Sequence, residues 1–214
     1  MFRAVVFDLW HTLATWPEEE SRAFRQRWSE HMGVETTELD AVWYGPGAYE
    51  QRETGPIAAA VAAVHDALGG DADIDEVLAW RLDMARRALA PDPGVIATVS
   101  ELRRRGVATG LISNCTEDVA LVWGDSQFAG LFDVVIFSAT AGCMKPDRRI
   151  YELALAELGL EASESLFVGD GANDELLGAQ RVGMTPVLLD RERQELIWTG
   201  LRVAAIPQVL DLVG

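Results

Sequence analysis

From Arg3 to Asp8 (RAVVFD) the chain is β-branched, aromatic and apolar almost without interruption, the pattern of a short strand buried on both faces, and it closes on a carboxylate. The next run of this kind does not come until Val107. Between them the apolar spacing is helical. Phe24, Trp28 and Met32 recur every four residues, after a start at Pro17 with Glu18 to Glu20 in the first turn, and Gly33 is the stop. Ile57, Val61, Val64 and Leu68 form a second stripe, closed by Gly69 and Gly70. Asp73 with Glu76 makes a capping-box-like start for a third, through Ile74, Leu78, Met84 with Ala85, and Leu89. These stripes predict a small helical bundle over about residues 15–90. Its apolar faces would serve a homodimer as readily as a bundle core.

From residue 93 the pattern alternates between helix and strand, the mark of a parallel sheet with helices on its faces. Helices are expected over 93–105, 147–159, 172–182 and 206–213, and strands over 107–112, 134–138, 166–168 and 186–189, with a weaker one at 203–205. The chain therefore reads as α/β, a Rossmann-like parallel core from residues 1–14 and 91–214 with helices on both faces, and an α-helical insert at 15–90. In such sheets ligands bind beyond the carboxyl ends of the strands, where the strand order reverses. The strand ends here are chemically capable: Asp8 after the first, Ser113 and Asn114 after the second, Lys145 beyond the third, Asp170 and Asp174 after the fourth.

Composition narrows the partners. With 18 basic against 34 acidic residues the net charge is −16, which repels phosphate backbones and anionic headgroups, so neither nucleic acid nor a membrane surface is an expected partner. No apolar run is long enough to span a bilayer, and Asp8 falls where a signal sequence would need its apolar core. Two cysteines, Cys115 and Cys143, are too few for a secreted disulfide framework, which points to the reducing cytoplasm. Of the 18 basic residues 17 are arginine, and Lys145 is the only lysine. A chain that uses arginine everywhere else calls for a compact ammonium at that position.

Taken together, FDLWHTL at 7–13, ISN at 112–114, KPD at 145–147 and VGDGANDEL at 168–176 resemble the four signature motifs of the haloacid dehalogenase-like superfamily of hydrolases, in order and spacing. The helical insert is similar to that family's C1-type cap. The resemblance implies that Asp8 is a nucleophile forming a covalent ester that water later cleaves, and that Mg²⁺ neutralises a phosphoryl group. By the same resemblance Asp8, the Trp10 carbonyl and Asp170 would ligate the metal, with Asp174 in support. Ser113, Asn114 and Lys145 would hold the transferring group, Lys145 as a point charge. The insert contains no lysine, which excludes the Schiff-base chemistry of phosphonate-cleaving relatives.

One residue departs from the phosphatase pattern. Where such relatives usually carry a second aspartate, two residues after the nucleophile, this chain has Trp10, which can neither protonate a leaving oxygen nor activate water. Haloacid dehalogenases also lack that acid, because halide leaves unaided, but metal-free dehalogenases typically lose the acidic fourth motif that Asp170 and Asp174 keep. His11 is a candidate substitute acid or base, although neighbours in an extended segment point to opposite faces. Trp43, Tyr44 and Tyr49, around Gly45-Pro46-Gly47 with Arg52 behind, form an aromatic loop in the insert. The expectation is a Mg²⁺-dependent phosphatase for a small phosphorylated metabolite. A 2-haloacid dehalogenase-like hydrolase and a catalytically weak phosphate-ligand-binding protein are the alternatives.

Overall fold

A computed structural model describes residues 2–69, 73–191 and 198–214. The first strand, β1 (Ala4–Phe7), is buried at every position, as its unbroken apolar run requires of a central parallel strand. A tight turn follows. The Leu9 carbonyl accepts from the amides of Thr12, Leu13 and Ala14, while the His11 amide donates to Ala14. This turn holds His11 in the left-handed region at φ 58° and redirects the chain out of the sheet.

Five helices come next: α1 (Glu18–Met32), α2 (Thr36–Trp43), α3 (Ala48–Glu53), α4 (Ile57–Leu68) and α5 (Ile74–Ala88). The stops fall where the sequence places them, with Gly33 and Gly69 both left-handed at φ 70°. The Asp73 side chain caps α5 by accepting from the Asp75 amide. The helical stripes close on one another: Phe24, Trp28, Leu39, Trp43, Ile57, Val61, Val64, Val77 and Met84 form one buried cluster. Inside it Trp28 donates to His65 at 3.0 Å. These stripes supply the insert's own core.

The chain then returns to the sheet through α6 (Val95–Arg104), β2 (Ala108–Ser113), α7 (Glu117–Val122), β3 (Val134–Phe137), α8 (Ser138–Ala141), α9 (Arg148–Leu158), β4 (Ser165–Gly169), α10 (Glu175–Val182), β5 (Thr185–Leu189) and β6 (Leu201–Val203). All six strands are parallel, in the order β3-β2-β1-β4-β5-β6. Because β1 lies between β2 and β4, with Ala4 opposite both Ala108 and Ser165, the chain order reverses there. One apolar cluster covers each face of the sheet.

Two expected helices take another form. The segment expected as helix over 206–213 is a 3₁₀ turn, Ile206–Asp211, whose buried Ile206 and Val209 stand three residues apart, the period of that tighter winding. The helix expected from 172 begins with a 3₁₀ turn at Ala172–Asp174, where Asn173 and Asp174 have φ of 51° and 56°, so α10 proper starts at Glu175. The weak strand expected at 203–205 lies two residues earlier. Among the described residues no helix is long and apolar enough to cross a membrane.

Candidate active site

The ends of β1, β2 and β4 open into a cavity of about 380 Å³ roofed by the insert. Its floor is ionic. Lys145, only 2% exposed, donates to the carboxylate of Asp8 and, at 2.6 Å, to that of Glu175. Asp170 completes the group: Asp8, Asp170 and Glu175 each offer a carboxylate oxygen, all within 4.8 Å of one another. Burial pushes the Asp8 carboxyl up, against the pull of Lys145, and the neighbouring Asp170 adds to the rise. Burial likewise lifts Glu175 to about 8, opposed by Lys145 and reinforced by Asp8 and Asp170. Burial alone would lower the Lys145 pKa, but the two carboxylates beside it outweigh that and hold the ammonium protonated.

Local sequence explains how these groups meet. Asn114, at the end of β2, clasps the Lys145 backbone at both ends, accepting from its amide at 2.8 Å and donating to its carbonyl at 3.0 Å. Glu175 turns inward over the end of β4 because Gly169 has no side chain. A Cβ there would lie 2.0 Å from Glu175 Oε1, which also accepts from the Gly171 amide at 3.1 Å. The hydroxyl of Tyr151 on α9 holds the Glu175 carbonyl at 2.8 Å.

The other residues singled out from sequence are distributed unevenly. Trp10 and His11 line the cavity, Trp10 half-buried with its ring edge-on to Trp16 at 4.9 Å, His11 exposed. Ser113 is completely buried below the floor, its hydroxyl 3.4 Å from the Asn114 carbonyl, and does not line the cavity. Asp174 is exposed and stands outside the carboxylate group. The left-handed turn at Asn173 and Asp174 points one acid out and the next one, Glu175, in. Sequence reasoning passed over Glu175, although it keeps phase with the buried Leu176 and Ala179 of α10.

The roof contributes charge that the motifs do not announce. Arg52 and Glu53 at the end of α3, and Arg81 on α5, all line the cavity and are all buried. Arg81 ties the insert to the core: its Nη2 donates to Thr116 at 2.8 Å and to Asp118 at 3.1 Å, at the start of α7. The Ile57 amide makes a second tie, to Glu117 at 3.0 Å. Arg52 donates to the Trp43 carbonyl and packs over the Trp43 ring at 4.6 Å. The signal available for Arg81 was its place in the Val77–Met84 stripe, a charge on an otherwise apolar face.

Residues 2–183 match the haloacid dehalogenase-like hydrolase family, and the chain belongs to it. It is 32% identical to the glyceraldehyde 3-phosphate phosphatase of Methanothermobacter thermautotrophicus, but the match spans only 58% of each protein. It is 30% identical to the ribulose-1,5-bisphosphate 5-phosphatase of Halopiger xanaduensis over 89% of this chain and 85% of that one. Among solved structures it is similar to the 2-haloacid dehalogenase of Pseudomonas syringae pv. tomato, with a TM-score of 0.77 at 22% identity, covering 100% and 98% of the two chains. That likeness is one of fold.

Proposed function

We propose that this hydrolase is a Mg²⁺-dependent phosphatase that cleaves a small phosphorylated metabolite through an aspartyl-phosphate on Asp8. The observation that carries the reading is the composition of the cavity floor. Three carboxyls meet a single ammonium, two of them buried and both raised in pKa because one cation does not offset the cost of their charges, the setting that a divalent ion would relieve. The donors are all hard oxygens, the set that suits Mg²⁺. Asp8, Asp170 and Glu175 would hold the ion, which when bound supplies positive charge against a phosphoryl dianion.

The chain's own groups supply the rest. Asp8 attacks phosphorus, and Lys145, fixed by Asn114, faces both the nucleophile and the phosphoryl oxygens as a fixed positive charge. Water then cleaves the ester and restores the carboxylate. Helices α1–α5 act as a cap that shields this ester from bulk water, and the cavity's size suits a metabolite rather than a polymer. Cys115 and Cys143, both buried free thiols, suit the cytoplasm. The phosphatases among the relatives support the same reading.

The test is hydrolysis of p-nitrophenyl phosphate, whose leaving group needs no proton. Turnover that requires Mg²⁺ and disappears in Asp8→Asn is the expected result. Trp10 favours a second reading, displacement of halide from a 2-haloacid, because that reaction needs no leaving-group acid. Metal-independent halide release with no phosphate release would establish it instead.

A further inference from the structure

The phosphatase reading leaves a vacancy in the chemistry. A poor leaving group, such as an alkoxide, needs a proton as the phosphorus–oxygen bond breaks, and the indole of Trp10 has none to give. The carboxyls of the floor are committed: Asp8 as nucleophile, Asp170 facing it, Glu175 to Lys145 and the Gly171 amide. Two further carboxyls line the cavity, Glu18 and Glu53. Glu18 is exposed in the first turn of α1.

Glu53 differs from it in every relevant respect. It is only 8% exposed and accepts no hydrogen bond among the described residues. Its nearest charged partner, Arg52 Nε, is 3.8 Å away. Its helix lines the cavity with Tyr49, Arg52 and Glu53, across from Asp8, Asn114 and Lys145. Tyr49, one turn earlier on α3, faces the side chain of Asn114, the residue that clasps Lys145, and the charge of Glu53 is felt by the thiol of Cys115, next after Asn114. A buried carboxyl on the cavity wall that no hydrogen bond ties down is available to a bound substrate. Resting on the phosphatase reading above, we propose that Glu53, carried by the insert over Asp8, is the proton donor to the leaving group.

The surroundings suit that task. Burial lifts the Glu53 carboxyl to about 7, with Arg52 and Arg81 pulling the other way and Asp118 of α7 adding to the rise. Tyr49 and Cys115 also feel its charge. The acid is therefore half-protonated near neutral pH, and two guanidinium groups stand by to accommodate its carboxylate.

The steps balance. As the bond from Asp8 to phosphorus forms, the bond to the leaving oxygen breaks, its electron pair goes to that oxygen, and Glu53 gives up its proton to release an alcohol. Water then attacks the aspartyl-phosphate and passes a proton to Glu53, the phosphorus–oxygen bond to Asp8 breaks, and the electron pair returns to the Asp8 carboxylate. Phosphate departs with both carboxyls restored.

The experiment compares kcat/KM of the wild type, Glu53→Gln and Glu53→Asp on primary alkyl phosphates and on p-nitrophenyl phosphate, with Mg²⁺ present. In Glu53→Gln the alkyl esters are expected to lose about 100-fold or more in kcat/KM, while the aryl ester, whose departure needs no proton, loses at least about tenfold less in kcat/KM but falls in kcat because water attack on the ester still lacks its base; circular dichroism and a thermal melt show that the variant is folded. Glu53→Asp, which keeps the acid on a shorter arm, recovers part of the alkyl loss. The wild-type alkyl profile falls as pH rises through about 7, and that limb is absent in Glu53→Gln. Equal losses on both classes, no loss on either, or a wild type that turns over only the aryl ester overturns the assignment of Glu53 and leaves the phosphatase reading standing. A wild type that hydrolyses neither class overturns both.

Discussion

The buried ion pair between Arg81 and Asp118 joins α5 to α7, and its removal is expected to give a measurable stability loss. Arg81 is 3% exposed and Asp118 is completely buried, with Nη2 2.9 Å from Oδ2, so neither charge can turn to water if the other is lost. Arg81→Met keeps the length and apolar stem of the side chain, and with it packing against Phe24, but leaves Asp118 and the Thr116 hydroxyl without their donor. Breaking one side of a buried pair costs about 3–5 kcal/mol, the upper part of which applies here because Thr116 is orphaned too. Asp118→Leu alone strands the guanidinium and costs a similar amount. The double variant removes both charges, so its loss should fall short of the sum of the singles by about 2 kcal/mol or more. Urea unfolding followed by tryptophan fluorescence measures all four corners of this cycle. Single losses below about 1 kcal/mol, or strict additivity, would refute the reasoning that this contact clamps the insert to the core.

Other expectations follow from the same structure. Gly169→Ala places a Cβ 2.0 Å from Glu175 Oε1, so Glu175 must move, at a cost of about 1–3 kcal/mol in a thermal melt and roughly 100-fold in kcat through misplacement of Lys145. Glu53, whose carboxyl burial and Asp118 raise from 4.5 to about 7 on folding against the pull of Arg52 and Arg81, makes the folded chain hold the extra proton in that window. Its stabilising contribution is therefore fully present below pH 4.5 and lost as pH rises through 7, by up to about 3 kcal/mol at roughly 1.4 kcal/mol per pH unit. Urea midpoints from pH 4 to 9 should show that decline in the wild type and a flatter curve in Glu53→Gln, and parallel curves would contradict it.

What the sequence discloses here depends on how locally each feature is written. The strands are legible because a parallel strand buried on both faces must be apolar throughout, and Asp8, Asn114 and Asp170 are legible because each follows such a run. Lys145 adds a signal of its own as the only lysine. Glu175 escaped because the turn at Asn173 and Asp174 is left-handed, so the residue pointing inward lies one position beyond the one a regular helix from 172 suggests. Helices α2, α3 and α7 are eight, six and six residues long, too short for a clear period. The Arg81–Asp118 pair joins residues 37 apart, and Glu53 meets the cavity only through the fold, its ion pair to the adjacent Arg52 saying nothing of that place, so nothing beside either in the chain announces their roles.

The central claim is that Asp8 carries the phosphoryl group in a covalent ester, and it can be read chemically. Enzyme turning over p-nitrophenyl phosphate with Mg²⁺ is quenched in acid, reduced with borohydride, which converts an aspartyl-phosphate to homoserine, and mapped by peptide mass spectrometry. The account predicts homoserine at position 8 and nowhere else, formed only in the presence of substrate. An unmodified Asp8 in protein that is demonstrably releasing phosphate, or homoserine at Asp170 instead, would contradict it.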